Sequence, residues 1–447
     1  MGTMAEPLDL LDDLLGRARR AGADAADALY FEAVSLGVSW RLGRLEELER
    51  SETRDLGLRV FVGRSQATVS SSEIDSGAID RLVERAVGMA RAAPPDPYAS
   101  LADPALLETA PPALDLFDPS EPDPQVLFDR AAAAEAAALA VEGVTNSEGA
   151  GASWGTNRVG LATSGGFAGE YRNSMHGVSV SVLAGSGTGM ERDYDHAAAR
   201  FGADLADPAL IGRRAGEQAV RRLNPRKVKT VKAPVILDPR LSSSLLGHLL
   251  GAINGAAIAR GTSFLKDRLG EMVFAPGITV VDDPYRLRGH RSRPFDGEGV
   301  RGATRKLVDA GRLTTWILDT SSARQLGLAS TGHASRGTSG PPGPAASNIH
   351  MEAGTLSPAD LIAETGTGFY VTELIGSGVN GITGDYSRGA AGFWIENGKI
   401  AYPVSEITIA GNLKDMFQNL TPANDLEFRF GANAPTVRID GMTIAGA

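Results

Sequence analysis

The chain of 447 residues contains no cysteine. Disulfides, thiolate-bound zinc, iron–sulfur clusters and cysteine nucleophiles are excluded together. Histidine is scarce as well. His176, His196, His248, His290, His333 and His350 form no His-Glu-x-x-His pair. Each reads as a surface or packed imidazole, with a zinc site assembled from scattered histidines and acids as the rival. No G-x-S-x-G elbow accompanies the abundant serines. Positive charge is also short: 44 Lys and Arg against 54 Asp and Glu leave a net charge of −10. A sequence-independent grip on nucleic acid needs a basic surface to displace phosphate counterions, so nucleic acid is not an expected partner. Arg221 to Lys232 is the one basic stretch, and it reads as a helix end and linker. Long apolar runs are missing too. Leu245 to Ile258 is interrupted by His248 and Asn254 and falls short of the ~20 residues of a membrane span. The acidic start (Glu6, Asp9, Asp12, Asp13) has no signal-peptide pattern. The expectation is a soluble, cytoplasmic protein that uses no membrane.

What is present suggests two domains, because a chain of this length exceeds one ordinary core. Residues 1–225 read as a mixed α/β domain. Helices are expected over residues 8–22, 73–92, 125–141 and 208–223, and strands over 28–40, 56–70, 144–153, 158–164 and 167–185. Residues 94–124 are rich in proline, which lacks an amide donor and resists regular structure. The apolar Leu106, Leu107, Leu114, Leu116 and Phe117 mark this stretch as a surface strap rather than a free linker. Residues 233–447 read as a strand-rich domain. It opens with a strand at 234–237 and a helix over 241–259, N-capped by Ser242, Ser243 or Ser244. Hairpins are expected about Asp309-Ala310-Gly311 and Asn397-Gly398, and a mobile loop over 335–348. The class implied is α+β.

Two glycine patterns stand out. Gly247, Gly251 and Gly255 recur every four residues along the 241–259 helix, where each glycine costs roughly 1 kcal/mol against alanine. Close packing of a neighbour against this stripe is the expected reason. Gly376-Ser-Gly378-Val-Asn-Gly381 matches a dinucleotide fingerprint, but the residues after it cannot open the helix that chemistry requires. A glycine-rich turn pressed against another backbone, or a bound peptide, fits better. Asp385, Tyr386, Ser387 and Arg388 follow on the same loop. They are either ligand contacts, together with Gly376 and Gly378, or a solvated segment in which Asp385 and Arg388 pair with each other.

The block Tyr370-Val-Thr-Glu-Leu-Ile-Gly-Ser-Gly-Val-Asn-Gly-Ile-Thr-Gly-Asp-Tyr-Ser-Arg-Gly-Ala-Ala-Gly-Phe-Trp-Ile-Glu-Asn-Gly398, running into Tyr402-Pro-Val-Ser-Glu-Ile-Thr-Ile-Ala-Gly-Asn-Leu413, resembles the TldD/PmbA metalloprotease family, in its TldE (PmbA) branch. Ser292-Arg-Pro-Phe-Asp-Gly-Glu-Gly299, Leu318-Asp-Thr-Ser-Ser-Ala-Arg324, Ser330-Thr-Gly-His333, Gly57-Leu-Arg-Val-Phe-Val-Gly63 and Asp96-Pro-Tyr-Ala-Ser-Leu-Ala-Asp103 extend the resemblance over nearly the whole chain. It implies a cytosolic zinc-protease assembly acting on small or unfolded polypeptides. The family's catalytic subunit carries His-Glu-x-x-x-His just before Arg-Gly-Thr-Ser, and a downstream cysteine ligand. Counting back from Arg260-Gly-Thr-Ser263, Leu246, Gly247 and Gly251 occupy the positions of the first His, the Glu and the second His. The resemblance thus implies a non-catalytic subunit with no metal or cofactor of its own, zinc being expected only in a TldD-type partner. A homodimer is a further expectation. The alternative is a homo-oligomeric, peptide-binding adaptor of gyrase-modulator type without protease activity.

Overall fold

Leu11, Leu14, Leu15 and Ala18 recur at helical spacing and are buried on one face of the first helix, α1 (Pro7–Arg20). The structure is a computed structural model that describes residues 6–446; the outermost positions of the two expected domains, 1–5 and 447, lie outside the described residues. After α1 come β1 (Ala25–Arg41), β2 (Arg44–Val62), β3 (Ser65–Ser71), α2 (Ser76–Ala92), α3 (Pro124–Leu139), β4 (Val144–Thr163), β5 (Ala168–Ala184), β6 (Glu191–Ala199) and α4 (Pro208–Arg221). The six strands form one antiparallel sheet in the order β3-β2-β1-β4-β5-β6. Even-numbered residues of β1 meet α1 and α2 at one end (Ala26, Ala28, Tyr30) and α3 and α4 at the other (Leu36, Val38), so all four helices cover one face. On the opposite face Leu29 and Leu161 pack with Phe167 against Phe295 of the second half.

β2 begins twelve residues earlier than expected, at Arg44 rather than Leu56. Residues 44–50 are charged or exposed and show no buried alternation, because this stretch pairs with β1 alone at the open edge of the sheet. The tight turn before it is Leu42-Gly43, both at positive φ (48° and 74°). The buried Glu135 carboxylate of α3 accepts from both turn amides, at 2.8 and 3.0 Å, and offsets the strain on Leu42. β4 runs unbroken from 144 to 163, joining the two strands expected there.

The second half contains β7 (Val231–Leu237), α5 (Pro239–Ala252), α6 (Gly255–Ala259), β8 (Val280–Asp283), β9 (Arg305–Asp309), β10 (Arg312–Leu313), α7 (Thr320–Leu326), β11 (Ala334–Ser335), β12 (Gly343–Pro344) and β13 (Asn348–Met351). α8 (Pro358–Thr365), β14 (Gly368–Ile375), β15 (Asp385–Glu396), β16 (Lys399–Asn412), α9 (Leu413–Gln418), β17 (Leu420–Pro422), β18 (Ala432–Asn433) and β19 (Val437–Ala445) complete it. One sheet runs β16-β15-β14-β7-β19-β17, and a further pairing of β16 with β19 closes five of its strands into a ring. A second sheet runs β10-β9-β8-β13-β18. Leu245, Leu246 and Leu249 of α5 share one core with Val235, Phe369 and Val371 of the ring and Val280 and Ile349 of the second sheet. Both expected hairpin turns form, with Ala310 and Asn397 at φ 48° and 50°.

The strap is present and spans both halves. Leu116 accepts from Ser174 in the first half, while Glu108 donates to Gly299, and Leu106 and Leu114 accept from Arg301 and Arg288 in the second. The expected mobile loop at 335–348 is instead anchored. β11 pairs with β12, and Arg336 reaches the buried Asp27 of β1. It is packed against β2: Thr338 lies so close to Gly57 that a Cβ there would stand 2.3 Å from the Thr338 carbonyl oxygen.

Candidate functional site

α5 is capped by Asp238, which accepts from Arg240 N at 3.0 Å, with Pro239 supplying the first helical residue. The serines at 242–244 are therefore not the cap. Ser242 is buried, and its hydroxyl donates to Pro239 O and Ala434 O. The helix also ends earlier than expected. Asn254 accepts from Ala256 N and Ala257 N and starts a separate short helix, so 241–259 is two helices.

This break divides the glycine stripe. A Cβ built on Gly255 would clash with Leu318, Ser322 and Ile317 O, all closer than 3 Å, so close packing holds there. Gly247 and Gly251 are exposed and face open space, with nothing within 4 Å of a built Cβ. The packing expectation fails for these two. Leu246, by contrast, is fully buried and points into the core. The three positions counted as zinc ligands and base thus supply no side-chain donor, and the first faces away from solvent.

His248 lies between the two exposed glycines. Its ring meets Tyr386 edge-on at 5.8 Å, and its Nε2 is buried with no hydrogen-bond partner. Burial, and then the charge of Arg388, hold its pKa below the usual imidazole value, so it is neutral at pH 7. The remaining histidines are engaged elsewhere. His333 bonds Asp282 and Thr331, His176 lies 3.3 Å from Asp118, and His196 and His290 meet Phe430 while His350 meets Phe428. Among the described residues no three His, Cys, Asp or Glu side chains gather as a metal site. The donor set at α5 does not fit zinc.

The segment 376–384 is the tight connection between β14 and β15. Ser387 N donates to Gly378 O at 2.7 Å, and Asn380 N to Asp385 O at 2.8 Å. The Asn380 side chain accepts from Ile382 N and Thr383 N. A Cβ on Gly378 would stand 2.0 Å from Ser387 O, so only glycine allows this approach. A strand follows, not a helix, and the fingerprint Gly376-x-Gly378-x-x-Gly381 therefore builds a backbone turn. Phe264 N donates to Gly381 O at 3.0 Å and ties the turn to Arg260-Gly-Thr-Ser263 beyond α6.

An open depression of about 600 Å³ lies against this turn, lined by 377–382 and 385–387. Ile375 and Ile382 stand 57% and 61% exposed at the turn. Asp385 and Arg388 do not pair. Asp385 accepts from Thr383 Oγ1 at 2.6 Å and Asn412 Nδ2 at 3.0 Å, and these two bonds lower its pKa. Among the described residues Arg388 donates only to Ile375 O, at 3.4 Å, and has no carboxylate partner. Ser387 is exposed, whereas the Tyr386 side chain is buried in the core, its hydroxyl pushed up to about 12 by burial. The fold brings α5 and the start of β15 together through His248, Tyr386 and Arg388. Sequence reasoning missed His248 as a member of the site, although its place between the two exposed glycines was the available signal. Asn380, Phe264, Ile375 and Ile382 carried no motif of their own.

Comparison with known proteins agrees with this architecture. Three profiles of the PmbA/TldA metallopeptidase family match: domain 1 over residues 26–90, the central domain over 117–223 and the C-terminal domain over 230–446. The metalloprotease PmbA of Escherichia coli O157:H7 is 42% identical over 426 residues, which cover 95% of this chain and 93% of that protein. A crystal structure from Bacteroides thetaiotaomicron, provisionally described as a modulator of DNA gyrase, superposes with a TM-score of 0.91 at 27% identity over the full length of both chains. TldE of Thermococcus kodakarensis shares the fold with a TM-score of 0.87 at 21% identity, over 98% of this chain and 100% of its own. On these matches the chain belongs to the PmbA/TldD metallopeptidase family.

Proposed function

We propose that this chain is the non-catalytic subunit of a cytoplasmic TldD-type zinc metalloprotease, and that its partner carries the zinc. The observation that carries the reading is the chemistry of α5. A catalytic zinc needs three protein ligands and an open position, and hydrolysis needs a general base. At the corresponding positions stand a buried leucine and two bare glycines. Those glycines leave a helix face clear, and through His248 and Tyr386 that helix meets the strand whose open depression is lined by the exposed Ile382, which suits the close passage of an extended polypeptide backbone. The substrate class proposed is small or unfolded polypeptide, held against the 376–388 segment while the partner's metal performs hydrolysis.

The test is metal content and cleavage of an unfolded polypeptide, by this chain alone and mixed with a TldD-type subunit of the same organism. The expected result is metal-free, inactive protein alone, and a stable mixed complex that cleaves faster than the partner by itself. Stoichiometric zinc together with cleavage by the isolated chain overturns the proposal. Failure to form any complex favours a homo-oligomeric adaptor.

A further inference from the structure

A second cavity lies where the two halves meet, and its volume is about 220 Å³. It is smaller than the ~300–1,000 Å³ of sites for drug-sized ligands. Its floor is charged and internally paired. Arg240 bonds Asp193 at 2.9 Å, Gln218 at 2.5 Å and Asp238 at 3.3 Å, while Arg222 is held by Glu191, Asp193 and Glu373. The Tyr370 hydroxyl donates to the second oxygen of Asp238 at 3.0 Å.

Two polar groups lining this cavity are unmatched. Arg221, at the end of α4, makes no ion pair among the described residues, and its guanidinium lies over the Phe393 ring at 5.0 Å from the centroid. The Thr372 hydroxyl is buried and has no hydrogen-bond partner among the described residues. Its placement is built into the sheet. Val371 pairs with Gly392 and Glu373 with Ala391, leaving Thr372 as the extra residue of a β-bulge. Bulges re-aim side chains beside functional sites. Gly392 makes this one possible, since a Cβ there would stand 2.0 Å from Tyr370 O. The remaining wall is apolar: Pro358, Ile362, Phe393 and Ile400.

We infer that this cavity binds a small molecule carrying an α-carboxylate beside an apolar side chain, as in a free aliphatic amino acid or the C-terminal residue of a short peptide. The Thr372 hydroxyl is a buried donor with no protein acceptor, the Arg221 guanidinium is an exposed cation at the mouth of the cavity with no protein carboxylate, and a carboxylate accepts from both. Asp193 and Asp238 in the floor disfavour a dianion such as phosphate, while the apolar wall takes the side chain. The site is independent of the proposed metalloprotease role. Phe369 and Val371 of β14 face the core shared with α5, whereas Tyr370 turns the other way, into this cavity.

Calorimetric titration of the full chain with leucine, N-acetylleucine, leucinamide and inorganic phosphate tests the inference. Saturable binding of leucine or N-acetylleucine is expected, with none of leucinamide or phosphate. If N-acetylleucine binds and leucine does not, the source is a peptide C-terminus; the reverse assigns a free amino acid. Arg221→Gln and the near-isosteric Thr372→Val each weaken binding by about tenfold or more, with unchanged unfolding midpoints. Equal binding of leucinamide, equal binding of phosphate, or no binding of any probe by the wild-type chain overturns it. The leucinamide and phosphate results need no variant, so a destabilised mutant does not blunt the test.

Discussion

The seam between the two halves and the open face of α5 treat polar chemistry in opposite ways. At the seam, Asp27 is 1% exposed between Arg59 and Arg336, and Glu298 and Asp296 are buried alongside. Burial alone would raise the Asp27 pKa, but the two guanidinium groups outweigh it and hold the carboxylate ionised. Arg200 crosses the same seam without a carboxylate partner, bonded to the carbonyl oxygens of Gly289 and His290, and burial lowers its pKa to about 10. On α5, the exposed positions Gly247 and Gly251 carry no side chain at all, and the only titratable group between them is His248. Buried charge here is architecture, and the place with the fewest functional groups is the better candidate for contact with substrate.

The seam is the place to break this contrast most severely. Asp27→Asn leaves two buried guanidinium groups without their shared anion, and urea unfolding should show a loss of about 3–5 kcal/mol. A loss below about 1 kcal/mol would mean that the cluster is hydrated and that the seam is not a structural core. Glu298 gives a pH signature. Its pKa is pushed up to about 7, first by burial and then by the charge of Asp296. A raised carboxyl pKa favours the native state while the group stays protonated. The contribution is therefore complete below the ordinary value of 4.5 and is lost as pH rises through about 7. Glu298→Gln should flatten this fall, which is on the order of 2–3 kcal/mol, when unfolding is followed across that range. An unchanged slope would assign the titration to another group. The smallest effect belongs to the open face. Gly247→Ala and Gly251→Ala should each stabilise the isolated chain by roughly 1 kcal/mol, since the new methyl meets nothing and the helix gains propensity. Both should also slow peptide cleavage by the mixed complex. Added stability with unaltered cleavage would show that the bare face has no part in function.

Much of this architecture was legible from periodicity and punctuation. The buried stripe of α1, that of α2 except for the exposed Met89, the α+β class and the Asn397-Gly398 turn follow from side-chain pattern and from tolerance of positive φ. Less legible was anything whose logic is non-local. The outer part of β2 is hidden because an edge segment with charged side chains has no buried face to display. The turn at Leu42 depends on Glu135, more than ninety residues away in sequence. The 335–348 segment looked mobile by composition, yet Arg336 is fixed by a partner that only the fold brings near. At the candidate site, the bare positions could be counted from Arg260-Gly-Thr-Ser263. Their surroundings could not: Gly247 and Gly251 face open space opposite the buried Leu245, Leu246 and Leu249, while a helix break at Asn254 that apolar spacing does not reveal sets Gly255 apart.

The proline-rich strap has a mechanical consequence. Its hydrogen bonds reach both halves, at Leu106, Glu108 and Leu114 on one side and Leu116 on the other. The strap therefore works as stitching: a rotation of one half about the other loads several bonds along its length at once. Bending at residues 222–230, between α4 and β7, is opposed by this lacing as well as by the seam. A chain stitched in this way resists hinge motion between its halves. Under the proposed function, a polypeptide therefore meets an open face whose two flanking halves are held in fixed relation.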